Sequence, residues 1–440
     1  METRQPIVRT AFSPFHNRTD AIFSPSGSVD FFSVAYSPNG LYYAKELEPH
    51  GEGNIGIFDA ENKEMLLSIK VQYGNNDLKG IAWSPDSLVI SVMYHGGNPS
   101  GIVFYDTERG ELLRRLEISE DYHFMVFGKE SHILYLSKEG EDYTEINLRN
   151  TDFSKYSGVN LPWINYGWDV GRNPWGMEHG GFSSNRNRLL EDFSFLRDNG
   201  VKVVRLFIFC DLRSGILFNQ SGIPLKFDTF VEEDFNVLVD TAKKTGLLLI
   251  PVLFDYTIAD GVNIEGVTRV GEFPELFTDP VKQKDLLKIF GAFFRKFASH
   301  PAIFAWDIIN EPEHIESVSE KNMYEFVSGF VKLIHKYATE AKITVGLLNR
   351  NNVNRWVNFD LDIYQFHYFD SFDSLFPLNF PVVNLGVDKP VIAGELETTD
   401  IHNKLTILWN NGYKGGLFWA LNDGEFRQNA RLFHAWISIH

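Results

Sequence analysis

The sequence predicts an α/β chain, a (β/α)8 TIM barrel preceded by an all-β module of about three propeller-like blades. Three observations predict it. Eight short apolar runs follow residue 150, and several segments between them carry helical periodicity. Two of those helical segments end in a glycine followed at once by the next apolar run, which is how helices hand over to strands in a barrel. Before residue 150 a motif recurs 47 positions apart, with turn residues at hairpin spacing. The chain therefore divides into a β-repeat module over 1–150, with no cluster of chemical groups, and a barrel over 151–440 that carries the chemistry.

In the first module, Val34-Ala35-Tyr36-Ser37-Pro38-Asn39-Gly40 matches Ile81-Ala82-Trp83-Ser84-Pro85-Asp86-Ser87, and Ile57-Phe58-Asp59 returns as Phe104-Tyr105-Asp106. An eroded third copy starts near Met125-Val126-Phe127. Each unit reads as strand, turn and further strands, closed by a polar hairpin such as Asp106-Thr107-Glu108-Arg109-Gly110. These units resemble propeller blades of the WD40 or TolB type. Propellers close with roughly four to eight blades. Three blades imply a partial arc whose edge packs on the barrel or on another chain, or a three-sheet variant starting at Phe12-Ser13-Pro14.

In the barrel, the apolar runs are 159–163, 201–209, 247–254, 302–309, 343–348, 362–366, 390–393 and 416–420. Helices are expected over 187–199 ending at Gly200, over 235–245 ending at Gly246, and over 286–298. No GxGxxG follows any run, which removes the main support for a dinucleotide fold. The segments Glu397-Thr398-Thr399-Asp400 and Asn422-Asp423-Gly424 offer little to a phosphate-binding barrel.

Composition narrows the function. With 41 basic and 58 acidic residues the formal net charge is −17, which disfavours nucleic acid and anionic membranes as partners. Hydrophobic residues make up 44% and charged ones 22%, as in a folded globular protein. The single cysteine, Cys210, excludes an intrachain disulfide. No apolar run approaches the roughly 20 residues of a membrane span, and the start lacks a signal-like apolar region. As written the chain is expected to be cytoplasmic, or secreted if a signal once preceded it.

Catalytic side chains of a barrel sit at the C-terminal ends of its strands. There the sequence places Arg205, Asn310-Glu311-Pro312, His367-Tyr368, Glu395 and Trp419. Two carboxylates on opposite walls, with an amide, a guanidinium and aromatics between them, suit glycoside hydrolysis. Arg205, costly in an apolar strand without a partner, is expected to point at Glu395, or else to form a structural ion pair. Glu397 competes with Glu395, because strand alternation sends both side chains the same way.

Residues 158–440 resemble clan A retaining glycoside hydrolases, most closely the family 5 cellulase and mannanase type. The resemblance rests on Gly158-Val159-Asn160, Val204-Arg205-Leu206, Trp306-Asp307-Ile308-Ile309-Asn310-Glu311-Pro312-Glu313 and Lys389-Pro390-Val391-Ile392-Ala393-Gly394-Glu395, in that order. It implies Glu311 as general acid/base with a raised pKa, and Glu395 as an ionised nucleophile. Asn310 would bind the sugar 2-hydroxyl, and Trp419 would be the platform under the sugar. His367 would contact substrate or its network, with no second His or acid at ligand spacing to make it a metal ligand. Relatives commonly carry His-x-Tyr here. This chain has Phe369 at that place, so Tyr368 is expected to substitute through a bulge, or the nucleophile loses a donor. The implied protein acts on a β-linked oligo- or polysaccharide, of mannan or glucan type, without cofactor or metal. The alternative is a catalytically inactive carbohydrate-binding or scaffold protein.

Overall fold

A computed structural model describes residues 34–47, 54–71, 77–95, 100–120, 122–138, 144–149, 151–176, 178–264, 268–422 and 425–440. Residues 12–14 and 423–424 of the sequence reading lie outside these. The chain forms two compact units, one up to residue 151 together with 431–440, the other from Asp152 to Ala430.

The first unit holds two four-stranded antiparallel sheets and one of three strands. The 47-residue recurrence has a physical basis in its turns. Ser37 donates to Asn39 at 2.8 Å in one sheet, and Ser84 donates to Asp86 at 2.6 Å in the next. Asp59 accepts the main-chain N–H groups of Glu61 and Asn62, as Asp106 accepts those of Glu108 and Arg109. Both are Asx turns that close a hairpin. Ile55, Ile57, Ile69, Trp83, Val92 and Val103 form the core, and the Trp83 indole N–H donates to Ala35 O at 2.8 Å.

In the second unit eight parallel strands close into a barrel. They are Gly158–Asn160, Val203–Phe207, Leu248–Asp255, Trp306–Asn310, Ile343–Leu347, Tyr364–Tyr368, Val391–Glu397 and Gly415–Trp419. Every expected apolar run contributes one strand, with shifted ends. The first stops at Asn160, ahead of Pro162, which has no N–H to give to a ladder. The sixth and seventh run past their apolar residues to Tyr368 and Glu397, so the polar residues that follow are themselves strand residues.

The helices follow their boundary signals. Helix Val231–Thr245 ends on Gly246 in the left-handed conformation (φ 76°). Helix Pro280–Phe297 starts on Asp279, whose carboxylate accepts from the N–H groups of Val281 and Lys282, with proline at its first position. Much of the chain's large phenylalanine complement packs here. Phe293 and Phe294 of this helix meet Trp306 at 5.9 and 5.1 Å, and Phe235 stacks on the same indole at 5.9 Å. That aromatic layer seats the fourth strand, which leads into Asn310 and Glu311. Among the described residues no helix is long and apolar enough to cross a membrane.

Strand register places the polar residues side by side around one mouth. Asn160 pairs with both Arg205 and Trp419, Asp255 with Asn310, and His367 with Glu395. Closure requires the first strand to lie tight against the second, since a Cβ on Gly158 would stand 1.9 Å from Val203 O. Gly158→Ala should therefore destabilise the fold by about 1–3 kcal/mol, the usual range for overpacking. Urea unfolding checks this, and an unchanged midpoint would contradict it.

Candidate active site

The site is built outward from a guanidinium. Arg205 is fully buried; its Nε donates to Asp307 Oδ2 at 3.0 Å and its Nη1 to Glu395 Oε1 at 2.8 Å. Nη1 also reaches Asn160 Oδ1 at 3.2 Å, and Nη2 donates to Asn310 Oδ1 at 2.7 Å. Asp307 is further held by the Gln365 amide at 2.7 Å and the Gly346 N–H at 3.1 Å. Gly346 is needed for space, because a Cβ there would come within 2.7 Å of Arg205 Nη2. Arg205 thus points at Glu395 as expected and also satisfies a core acid; both readings of it hold at once.

Glu311 leaves the fourth strand in the left-handed conformation (φ 45°, ψ 53°), and its N–H donates to Gly346 O at 2.7 Å. That backbone is rare for a side chain with a Cβ. It follows a strand whose neighbours Asn310 and Asp307 are tied to Arg205, so the turn is set by the same network. His367 Nδ1 lies 2.7 Å from Glu311 Oε1 and 3.6 Å from Glu395 Oε2. A second histidine, His314, brings Nε2 to 3.4 Å from Glu311 Oε2. An oxygen of Glu311 and one of Glu395 lie within 4.8 Å of each other. The same spacing with His367 would admit a cation, but the Arg205 guanidinium already supplies positive charge to Glu395.

These charges set the protonation pattern. Burial pushes the Glu311 carboxyl up, but the hydrogen bond and charge of His367, with His314 and Arg205, outweigh it and hold Glu311 below the ordinary glutamate value. Burial raises Glu395 by more than His367 and Arg205 draw it down, and Glu311 adds to the rise. His367 is pushed down by burial yet held above the ordinary histidine value by Glu395 and Glu311. The expected raised pKa of Glu311 is therefore corrected: it is lowered, and the imidazole at 2.7 Å is the deciding neighbour.

Glu311, Glu395, Asn310 and Trp419 all line one cleft of about 1060 Å³. With its oxygen taken by Arg205, Asn310 has its NH2 left for a ligand. Trp419 stands edge-on to Trp163 at 6.0 Å and to Phe207 at 6.3 Å. Tyr166, Trp168 and Trp175 continue the wall, with Arg213 over the Tyr166 ring at 4.6 Å and ion-paired to Asp211 at 2.5 Å.

Tyr368 is placed elsewhere. Its hydroxyl donates to Asp373 at 2.7 Å and it lines a separate small cavity, so it gives nothing to Glu395. A bulge does lie between Phe366 and His367, yet it brings Phe369, not Tyr368, to the cleft. Glu397 accepts the Asp370 N–H at 3.2 Å and is absent from the cleft wall.

Sequence reasoning passed over Asp307, Asp255 and His314. Asp307 had a signal, a charged residue inside an apolar strand, the same sign that singled out Arg205. Asp255 closes the third strand one residue beyond the apolar run. His314 had none, since it depends on the turn after Glu311.

No family model matches the chain. It is 23% identical over 328 residues to the mannan endo-1,4-beta-mannosidase of Cryptopygus antarcticus, covering 61% of this chain and 80% of that protein. The crystal structure of beta-1,4-D-mannanase from the same organism matches with a TM-score of 0.55 at 19% identity, over 72% of this chain and 95% of that one. The beta-1,4-mannanase of the sea hare Aplysia kurodai matches with a TM-score of 0.54 at 22% identity, over 64% of this chain and 91% of that one. At such identities the structural likeness is one of fold.

Two outcomes are expected. Arg205→Ala leaves Asp307 and Glu395 buried without their counter-ion, and should cost about 3–5 kcal/mol of stability in urea titrations; a neutral result would contradict the network. His367, raised in the folded protein, adds stability in full below its unfolded value near 6.5 and loses it as pH climbs through the folded value. The stability gap between wild type and His367→Gln should therefore shrink as pH rises above about 6.5. A gap that stays flat or widens would show that His367 gains no proton on folding.

Proposed function

We propose that the barrel is a retaining β-glycoside hydrolase of the clan A, family 5 type, cleaving a mannan by double displacement. The observation that carries this is the approach of Glu311 and Glu395 oxygens within 4.8 Å across the mouth, with Arg205 hydrogen-bonded to Glu395 and not to Glu311. Carboxyl groups about 5–5.5 Å apart leave no room for a water between the second carboxylate, Glu395, and the sugar, and so favour a covalent intermediate over direct hydrolysis. Mannan as the substrate is supported by the relative named mannan endo-1,4-beta-mannosidase.

In this reading the sugar lies on Trp419, whose indole face suits the C–H face of a pyranose. The Asn310 NH2 meets its 2-hydroxyl. A Glu395 oxygen attacks the anomeric carbon while the bond to the departing oxygen breaks, and Glu311 gives its proton to that oxygen. A glycosyl ester on Glu395 results. Glu311, now a carboxylate, takes a proton from a water that attacks the same carbon; the ester breaks and Glu395 is restored. Arg205 favours the ionised Glu395 that both steps require.

The low pKa of Glu311 belongs to the open cleft. A bound glycan removes water from a carboxylate that is still partly solvated, which disfavours its charge and moves its pKa upward, as an acid requires. Formation of the ester then deletes the Glu395 charge and moves it down again, as a base requires.

For the N-terminal unit we read the two four-stranded sheets as propeller-like blades, supported by the matching Asx-turn hairpins at Asp59 and Asp106. The barrel reading is tested with aryl β-mannosides and β-mannan. Glu395→Ala and Glu311→Ala should each lower kcat by roughly 10³-fold or more. Azide should restore both on an activated aryl glycoside, yielding the α-glycosyl azide from Glu395→Ala and the β-glycosyl azide from Glu311→Ala. The reverse pair of anomers would exchange the two roles, and undiminished activity would refute them.

A further inference from the structure

Asp255 is the least satisfied acid in the cleft. It ends the third barrel strand, lies in register with Asn310, and lines the cleft between Tyr166, Tyr256 and Glu311. The other buried acids nearby each face a guanidinium: Asp307 and Glu395 share Arg205, and Asp211 pairs with Arg213. Among the described residues Asp255 has no ion pair, and its Oδ1 is buried without a hydrogen-bond partner. Burial, with the charges of Glu311 and Glu395, pushes its carboxyl up to about 7; the main-chain N–H groups of Thr257 and Tyr256 only partly offset this.

A buried carboxylate oxygen with no donor is unfavourable, and such atoms in a folded protein call for an account. Among the described residues no donor meets Oδ1, and Asp255 lines the cleft wall. Sugar hydroxyls can donate, and a carboxyl oxygen can accept from them in either protonation state. We propose that Asp255 is a specificity-determining residue that accepts a hydrogen bond from one hydroxyl of the glycan bound across Glu311 and Glu395. This rests on the hydrolase reading above. The site selects for the sugar that presents a hydroxyl at Oδ1, because a glycan lacking it leaves the oxygen buried and unpaired.

The test measures kcat/KM of wild type, Asp255→Asn and Asp255→Ala on an aryl β-mannobioside and on the analogues that each lack one hydroxyl. Asp255→Asn preserves shape and removes a buried charge, so its thermal midpoint should equal or exceed that of wild type. On the full substrate it should lose roughly 10–100-fold, the scale of one hydrogen bond to a charged group. Wild type should suffer a similar loss on one analogue, and on that analogue wild type and variant should agree within about threefold, since both lack the same contact. Equal loss by the variant on every analogue would mean that Asp255 acts through the protein and would overturn the assignment. So would wild type indifferent to each missing hydroxyl, a reading that needs no variant to fold. Active wild type with an unimpaired Asp255→Asn would overturn the assignment alone, whereas wild type inactive on every β-mannoside would overturn the hydrolase reading with it.

Discussion

A buried guanidinium is tolerable only when the N–H groups of its planar fork meet acceptors, and Arg205 meets four side chains from three different strands. That requirement organises the barrel mouth. It draws Asp307 inward on the fourth strand, which leaves Asn310 aimed at the cleft and turns Glu311 out of the strand into its left-handed backbone. It holds Glu395 on the seventh strand. It also demands a glycine at 346, where any side chain would strike the guanidinium. Closure of the sheet and assembly of the charged cluster are thus one event, because the acceptors come together only when all the intervening strands are in register.

The electrostatics of the cleft follow from how few positive charges serve how many acids. Arg205 and His367 face Glu311, Glu395 and Asp307 within a few ångströms. The imidazole hydrogen-bonds Glu311 and the guanidinium hydrogen-bonds Glu395, and Glu395 is the more deeply buried of the two, so the carboxyls differ both in their neighbours and in their depth. Asp255 receives neither. A site of this kind is poised for a ligand rich in hydroxyl donors, which can satisfy acids that the protein leaves short.

Much of this architecture was legible in the sequence, and the reasons differ from place to place. Eight apolar runs gave eight strands because a parallel barrel buries both faces of each strand. Hydropathy stops before the sixth and seventh strands do, because polar residues there continue the ladder. Arg205 stood out as a charge in an apolar run. Tyr368 did not follow the pattern suggested by its neighbours, because a bulge at Phe366 and His367 shifts the register by one and sends the phenol to Asp373. Its consequence, that Glu395 has no tyrosine donor from this strand, is the second of the two outcomes that Phe369 in place of tyrosine left open; which of them holds depends on three-dimensional register. The pKa of Glu311 was likewise invisible, since it depends on His367 from the sixth strand and His314 from a turn.

The nucleophilic role proposed for Glu395 requires that it become covalently bonded to the sugar. It is tested most directly by incubating the protein with a 2-deoxy-2-fluoro-β-mannosyl fluoride, a substrate whose ester intermediate turns over slowly, and sequencing the labelled peptide by mass spectrometry. One fluoromannosyl group per chain, located on Glu395, is expected. A label on any other residue, or product released with inverted anomeric configuration and no label at all, would contradict it.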